Sequence, residues 1–392
     1  MTSNALVSPS PHSHGGSETP PKTKSQLLRS YSVEDFPILN GREEDWRFTP
    51  LRQLRGLHDG SAVPAAAGPK REHNEVDGVS ITTVSKEDAR IGSILQPFDR
   101  PSAQAFTSMT QALMIEVPRN TVVSEPVTVS VTGAGSDGAA YAHTFIDVGE
   151  SADVTIVLDH VGAVTLADNV EIQVGKNAQV RVVSIADWSK DSVQLQHQKA
   201  RIERDATLKH VSVSLGGELV RQYLSAEFAG PGGSIDAYGL YFANGAQHIE
   251  HRQLVDHSQP DCRSNVNYRG ALQGRDAHTV WVGDVLIQDL ATGTDTFEIN
   301  RNLVLTDGAR ADSVPNLEIE TGEIESAGHA SATGRFDDEQ LFYLQSRGIP
   351  EDDARRLVVR GFFAEILTHI PVESLRERLH DAIEKRLDEV NA

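Results

Sequence analysis

One histidine in a run of small residues is the first candidate for chemistry in this chain of 392 residues. His329 lies in the segment AGHASATG, whose alanines, glycines and serines leave an imidazole with little shielding. An unperturbed imidazole has a pKa of about 6.5, so its neutral, metal-binding form is available near neutral pH. No other ligand type stands beside it to complete a site. Taken alone, His329 therefore fits either a metal ligand or a structural histidine.

Three further histidines, His248, His251 and His257, accompany Asp256 in what looks like a metal-ligand cluster. On a β-strand, residues three apart point to opposite faces. His251 and His257 would lie about 20 Å apart along one strand at about 3.3 Å per residue. The spacing therefore favours stacked or surface histidines over a shared metal ion.

Cys262 is the one cysteine of the chain. It can form neither an internal disulfide nor, alone, a four-thiolate zinc or iron–sulfur site. It follows Pro260 and Asp261 in a predicted loop, with Arg263 as its basic neighbour. A reactive thiolate needs such a basic neighbour, but an incidental free thiol is the expectation. Any cluster bound here must take ligands from another chain.

Four carboxylates, Asp284, Asp289, Asp295 and Glu298, line a stretch of alternating polarity. Carbohydrate-active enzymes with β-helical folds use clustered carboxylates, so an enzyme of that class is one alternative. Solvated coil edges and turns are the favoured interpretation of the same residues.

The overall composition excludes several classes of function. The formal net charge of −20 argues against nucleic acid as a partner, because such binding depends on clustered Lys and Arg. Apolar runs such as TIVL at 155–158 fall far short of the roughly 18 residues of a membrane span. No GxxxxGK[ST] loop occurs, so nucleotide hydrolysis is unsupported. No secretory signal is recognised at the start, and a cytoplasmic location is expected.

A weak repeat predicts the element that positions these residues. Short Val, Ile, Leu and Thr runs recur between about 112 and 326, and a small residue recurs at Ala152, Ala178, Ala206 and Gly233, at spacings of 26, 28 and 27 residues. Looser echoes follow at 274–280 and 306–312. A period in the twenties with strand and turn residues is typical of a solenoid. We predict a parallel β-helix of seven or eight coils, with a β-sandwich as the alternative.

The C-terminal residues change to a helical pattern. Asp337 and Gln340 resemble a capping box, Gly348 ends that helix, and Pro350 opens the next. The predicted apolar stripes of the next two helices are Ala354, Leu357, Val358, Phe362 and Ile366, and then Leu375, Leu379, Ile383 and Leu387.

Four segments follow from these patterns. They are a disordered tail at 1–28 containing His12 and His14, an N-terminal helical or mixed domain at 29–111, a parallel β-helix core at 112–333, and a C-terminal helical domain at 334–392.

Several long strings together resemble one family. NLVLTDGARADSVPNLEIE, AGHASATGRFDDEQLFYLQSRGI and DDARRLVVRGFFAEIL closely resemble the SufB/SufD family of iron–sulfur cluster assembly scaffolds. Upstream, VDHSQPDCRSNVNYRGAL and EDWRFTPL look like the SufD branch, as does the length of the chain. The resemblance is strongest over residues 250–370. A SufB-type paralogue is the alternative, although SufB-type chains usually carry extra N-terminal sequence and cysteines.

This resemblance implies a mainly β protein, a right-handed parallel β-helix with α-helical N-terminal and C-terminal domains. It implies a non-enzymatic subunit of a SufBCD complex that pairs with a SufB-like scaffold as a heterodimer, and a homodimer of the isolated chain is left open. It also implies that a SufC-like ATPase docks on the C-terminal helices. The docking candidates are Leu341, Phe342, Leu344, Leu357, Phe362 and Phe363.

The resemblance further implies a metal role for His329. The matching histidine of the family lies where SufB and SufD meet, so we expect His329 to share a transient iron ion or iron–sulfur cluster with the partner chain. No stably bound cofactor is expected in the lone chain, and flavin binding is left open. Some SufD sequences carry a cysteine two positions earlier, where this chain has Ala327.

Overall fold

Parallel coils form the body of the molecule in the computed structural model, which describes residues 27–335 and 338–389, and the side chains of these except at 338–341. From β3 onward each strand pairs in parallel with the strand one coil away. These strands are β3 (Gln111–Val117), β4 (Val127–Val148), β5 (Asp153–Val174), β6 (Gln179–Trp188), β7 (Val193–Ile202), β8 (Thr207–Ser214), β9 (Leu219–Phe228), β10 (Ser234–Asn244), β11 (His248–His257), β12 (Arg263–Gln273), β13 (His278–Ile287), β14 (Asp295–Val304), β15 (Arg310–Ile319) and β16 (Ser326–Arg335).

The coils build two walls of a solenoid of about eight turns. Strands β6, β8, β10, β12, β14 and β16 stack as one wall, and β7, β9, β11, β13 and β15 as the other. The long strand β5 belongs to both, because its first half pairs with β6 and its second half with β7. The predicted parallel β-helix is confirmed and the sandwich alternative is wrong, whereas right-handed winding stays a prediction.

The sequence repeat marks one corner of each coil. A residue with positive φ turns the chain there, and the small residue after it is buried beneath the next coil. The repeat continues for two coils beyond the four copies recognised in the sequence. The similar segments at 274–280 and 306–312 lie at the opposite corner of the coils instead. The corner pairs are Ser151 with Ala152, Asn177 with Ala178, Asp205 with Ala206, Gly232 with Gly233, Asp261 with Cys262, and Gly293 with Thr294.

The segment before the coils is mixed, so its description as helical is corrected. It contains short 3-10 helices at Val33–Asp35, Glu44–Trp46 and Leu51–Leu54, strands β1 (Lys70–His73) and β2 (Ser80–Ser85), and helix α1 (Arg100–Ser108). Pro50 separates two of the short helices, as the sequence indicated, and Gly41 and Gly56 take positive φ on either side. Pro50 precedes Leu51–Leu54, and Arg55 and Gly56, both with positive φ, end it, so this helix remains a single short turn.

Two buried glutamates attach this segment to the solenoid. Glu171 accepts hydrogen bonds from the backbone N–H groups of Gly92 (2.6 Å), Ile94 (2.7 Å) and Leu95 (2.9 Å). Each bond to a buried carboxylate satisfies a charge that would otherwise be costly inside the protein.

Glu250 makes the second attachment. It accepts a hydrogen bond from Thr49 Oγ1 (2.6 Å) and pairs with Arg252 (2.6 Å) and Arg221 (3.2 Å). Burial alone would raise the pKa of Glu250, but the guanidinium groups of Arg221 and Arg252 hold it well below its usual range. Glu250 therefore stays ionised inside the protein.

Three helices follow the solenoid: α2 (Asp338–Ser346), α3 (Glu351–Thr368) and α4 (Glu373–Asp388). Helices α3 and α4 pack on the wall of even-numbered strands, where Phe363, Ile366 and Leu379 join Tyr238 and Phe242 in one cluster. Arg378 donates two hydrogen bonds to Asp159, both of 2.7 Å. These helices are thus fixed to the solenoid.

The buried stripe of α3 differs from the prediction. Its buried residues are Ala354, Val359, Phe363, Ile366 and Leu367. Leu357 is exposed and Val358 and Phe362 are only half-buried, because the wall contacts a face of the helix turned by about one residue. On α4, the predicted Leu375, Leu379 and Ile383 are buried. The predicted tail up to residue 26 and Asp337 of the capping box lie outside the described residues.

Candidate functional site

The two ends of the solenoid differ. At the N-terminal end, β4 pairs with β1 and β3, and β3 pairs with β2. At the C-terminal end, β15 pairs with β13 alone and β16 with β14 alone, as far as the described residues extend. The outer edges of β15 and β16 therefore carry backbone groups with no strand beside them, and such edges are templates for pairing with another chain.

His329 lies at this open end, on β16. Its register partner on β14 is Glu298, which points into the solenoid and is buried. Register partners in a parallel sheet lie about 4.8 Å apart and project from the same face. His329 therefore points along the inner face of the last coil, where it is exposed because no described coil follows. Ser331 and Thr333 lie on the same face of β16.

Glu298, just below His329, has an unusual environment for a carboxylate. Its relative exposure is 0%, yet neither carboxylate oxygen makes a hydrogen bond of ordinary geometry with the described residues. Burial, and then the nearby Asp284, raise the pKa of Glu298 to about 8, although the backbone N–H of Asn316 lowers it in part. The carboxyl group is therefore mostly protonated at neutral pH.

The opposite wall leaves room for this carboxyl group. A Cβ atom added at Gly283 on β13 would lie only 2.3 Å from Glu298 Oε2, so no other residue fits there without displacing it. Trp281 flanks the same glycine, and its register partner on β15 is Ser313. Trp281 Nε1 and Ser313 Oγ are also buried without hydrogen-bond partners among the described residues. A layer of unsatisfied polar groups thus lies directly beneath the open end.

The three histidines that looked like a metal-ligand cluster do not assemble into one site. His248 lies on the outer face of β11, where its Nδ1 is 3.1 Å from Nδ1 of His278, one coil further on. His251 points into the solenoid, and burial lowers its pKa to about 3. His257 contacts Ser264 (2.8 Å). No group of three metal-ligating side chains occurs among the residues that the structure describes.

Cys262 has a structural position. It occupies the buried small-residue site of its corner, and its Sγ lies 3.6 Å from the carbonyl oxygen of Gly230. Burial raises the pKa of the thiol to about 11, despite nearby backbone N–H groups. The thiol is therefore protonated and unreactive in this fold.

The four carboxylates do not share a groove. Asp284 accepts a hydrogen bond from Asn316 (2.9 Å), and Asp295 accepts one from Ser326. Asp289 is exposed in a turn, whereas Glu298 is buried in the interior of the solenoid. The geometry gives no support to a carbohydrate-active site. The association of Glu298 with His329 was missed, although their separation of 31 residues matches one coil of this part of the chain.

The docking candidates separate into exposed and buried residues. Phe342 on α2 is 71% exposed and Leu357 on α3 is 48% exposed, whereas Leu344 and Phe362 are half-buried. Phe363 is fully buried against the solenoid, so its assignment to a docking surface is corrected: it holds α3 in place. Leu341 lies in α2, with its side chain outside the described part. None of the described helices has the length and apolarity of a membrane span.

Comparison with known proteins supplies the family. Residues 130–362 match the family model described as SUF system FeS cluster assembly, SufBD core domain. An iron–sulfur cluster assembly SufBD family protein of Mycobacterium bovis is 57% identical over 371 residues, which cover 93% of each chain.

Proteins named SufD are more distant. The iron–sulfur cluster assembly protein SufD of Escherichia coli is 26% identical, with 88% of each chain covered. SufD of Bacillus subtilis is 27% identical, with 69% of this chain and 63% of the relative covered. The chain belongs to the SufBD family of the SUF iron–sulfur cluster assembly system, as the sequence strings indicated.

The buried carboxyl group gives a prediction about stability. Glu298 keeps its proton in the folded chain up to a pKa of about 8, but loses it near 4.5 when unfolded. Between these values the folded state binds more protons, so stability falls as pH rises. Glu298→Gln cannot ionise, and its stability relative to the wild type should increase from pH 5 to pH 8 by up to about 1.4 kcal/mol per pH unit.

Urea unfolding at several pH values measures this difference. Glu320→Gln, an exposed glutamate at the same end, is the matched control and should follow the wild type throughout. A constant difference between Glu298→Gln and the wild type over this range would contradict the assigned environment.

Proposed function

We propose that this SufBD family chain is a SufD-like, non-enzymatic scaffold subunit whose open solenoid end joins a SufB-like scaffold. The observation that carries the proposal is that β15 and β16 both present edges with no strand beside them among the described residues, at the end where His329 is exposed. A partner strand added to either edge continues the sheet and satisfies its backbone groups. Side chains of both chains then face one cavity.

The cargo of this cavity follows from the donors. This chain offers an imidazole at His329, whereas its one thiol is buried at Cys262. Imidazole suits iron, and thiolate suits iron–sulfur clusters, so the soft ligands must come from the partner. We therefore propose that an iron ion or a nascent cluster is held transiently between the two chains. This chain has Ala327 where some SufD sequences carry a cysteine, which is consistent with thiolate ligands supplied by the partner.

The assignment to SufD is the finer part of the proposal. The proteins named SufD align over most of this chain, but at 26% and 27% identity. The relative at 57% identity carries only the family name. A SufD role is supported by the single, buried cysteine of this chain. A second copy of this chain at the same edges is the alternative arrangement for the isolated protein.

An ATPase of the SufC type is the second proposed partner, docked on α2 and the outer face of α3. Phe342 and Tyr343 on α2 are large exposed apolar side chains, and Leu357 extends the surface onto α3. Helix α3 is bound to the solenoid through Arg269, which donates to the carbonyl oxygen of Phe362 (2.7 Å). Force applied to α2 and α3 would therefore be transmitted to the coils that lead to the open end.

Replacement of His329 tests the scaffold role. When the chain is co-expressed with its SufB-like and SufC-like partners, His329→Ala should leave the complex assembled, because the side chain is exposed. It should lower the cluster content several-fold, measured by anaerobic absorption and iron analysis. His73→Ala, an exposed histidine on β1 at the other end, should leave the cluster content unchanged. Wild-type cluster content in the His329→Ala complex would refute the site.

Replacement of Phe342 tests the docking surface. Phe342→Asp puts a charge on the proposed apolar surface and should reduce co-purification of the SufC-like ATPase at least tenfold. The free energy of unfolding should change by less than about 0.5 kcal/mol, because the side chain is exposed. Ile38→Asp, at an exposed site on the N-terminal segment, is the control. Undiminished ATPase binding by Phe342→Asp would remove α2 from the proposal.

A further inference from the structure

Among the described residues of the coil strands, three glutamates are fully buried, but only two of them have hydrogen-bond or ion-pair partners. Glu171 accepts three backbone hydrogen bonds, and Glu250 contacts Thr49 and two arginines. Glu298 has neither hydrogen bonds of ordinary geometry nor an ion pair among the described residues. The backbone N–H of Asn316 is its one polar neighbour of this kind among those residues, and a buried carboxyl group so weakly satisfied costs free energy, so this position is poorly explained as a support for the fold.

The position of Glu298 suggests what would satisfy it. It is one of the inward residues of β14 in the last complete coil, and the inward residue above it in register is His329. The missing side chain at Gly283 leaves room for this carboxyl group to reach across the interior of the solenoid to β13. One carboxylate and one imidazole on adjacent strands, about 4.8 Å apart at their backbones, are spaced as side chains that can reach a common ion.

We propose that Glu298 is a second ligand beside His329, and that the two present an oxygen and a nitrogen donor to one divalent iron ion at the open end. This inference rests on the proposed function and names the ligands that this chain adds to the shared site. Carboxylate and imidazole together are a usual donor set for iron in the divalent state, whereas clusters prefer thiolates. Binding of the ion would displace the proton of the Glu298 carboxyl group to solvent. The remaining positions belong to water and to the partner.

The geometry also distinguishes Glu298 from its acidic neighbours. Asp284 lies on the outer face of β13 and is held by Asn316. Asp295 accepts a hydrogen bond from Ser326 Oγ. Asp312 contacts His278 Nε2 (2.7 Å) and forms an ion pair with Arg310 (2.8 Å). Among these acids at the last coils, Glu298 is the one whose oxygens point inward beneath His329.

Cobalt binding tests the inference without relying on cluster assembly. Co²⁺ is titrated anaerobically into the full chain, alone and co-purified with its scaffold partner, and the visible absorption of the bound ion is followed. Glu298→Gln keeps the shape of the side chain and should weaken Co²⁺ binding about tenfold or more, as should His329→Ala. Glu320→Gln is the matched control, and circular dichroism verifies the fold.

The double variant shows whether both residues bind one ion. If they do, loss of either ligand removes most of the binding, and Glu298→Gln with His329→Ala should be much less than additive. A loss with His329→Ala alone would overturn the role of Glu298 and leave the proposed function standing. Additive losses would place the two residues at separate ions and overturn the inference. Absence of Co²⁺ binding by the wild type, both alone and in the complex, would overturn it too, while the cluster content of His329→Ala tests the function separately.

Discussion

A solenoid coil buries its inner face only by stacking on the next coil, and the last coil described here has no neighbour. Most features of this chain follow from that constraint. The corner residues are small because coils approach closely there, and the N-terminal end is covered by β1, β2 and β3. The other end exposes two strand edges together with inward residues that elsewhere would be buried. We propose that another chain completes this end.

The buried glutamates of the coil strands show the same contrast between a covered surface and an open end. Glu171 and Glu250 are buried together with their partners and attach the N-terminal segment to the coils. Glu298 is buried just below the open end, and among the described residues it has neither a hydrogen bond of ordinary geometry nor an ion pair. The low polarity of a protein interior strengthens paired polar groups and makes unpaired ones costly. A buried carboxyl group such as that of Glu298 is therefore best accommodated where a ligand or a partner chain supplies the missing contact. The place where the fold is least satisfied is thus the place where the proposed cargo binds.

Sequence patterns predicted the body of the fold but not the contacts between its parts. The spacing of Ala152, Ala178, Ala206 and Gly233 revealed the coils, because close stacking requires small residues at a fixed period. Cys262 lies at the corner that follows Gly233, but the sequence repeat was not extended to it, because the recognised copies have alanine or glycine at this position. Phe363 was assigned to a surface because helical periodicity tolerates an error of one residue, and only packing on Tyr238 and Phe242 fixes the buried face. The association of Glu298 with His329 could be recognised only from the pairing register of β14 and β16, which the sequence alone does not give.

Hydrogen–deuterium exchange at the backbone of residues 310–319 and 326–335 tests the central claim most directly. In the isolated chain, amides on the outer edges of β15 and β16 should exchange quickly, because no described strand pairs with them. In the complex with a SufB-like scaffold, these amides should be protected, while β1 and β2 at the opposite end are unchanged. A complex that forms with no new protection in either strand would contradict the account.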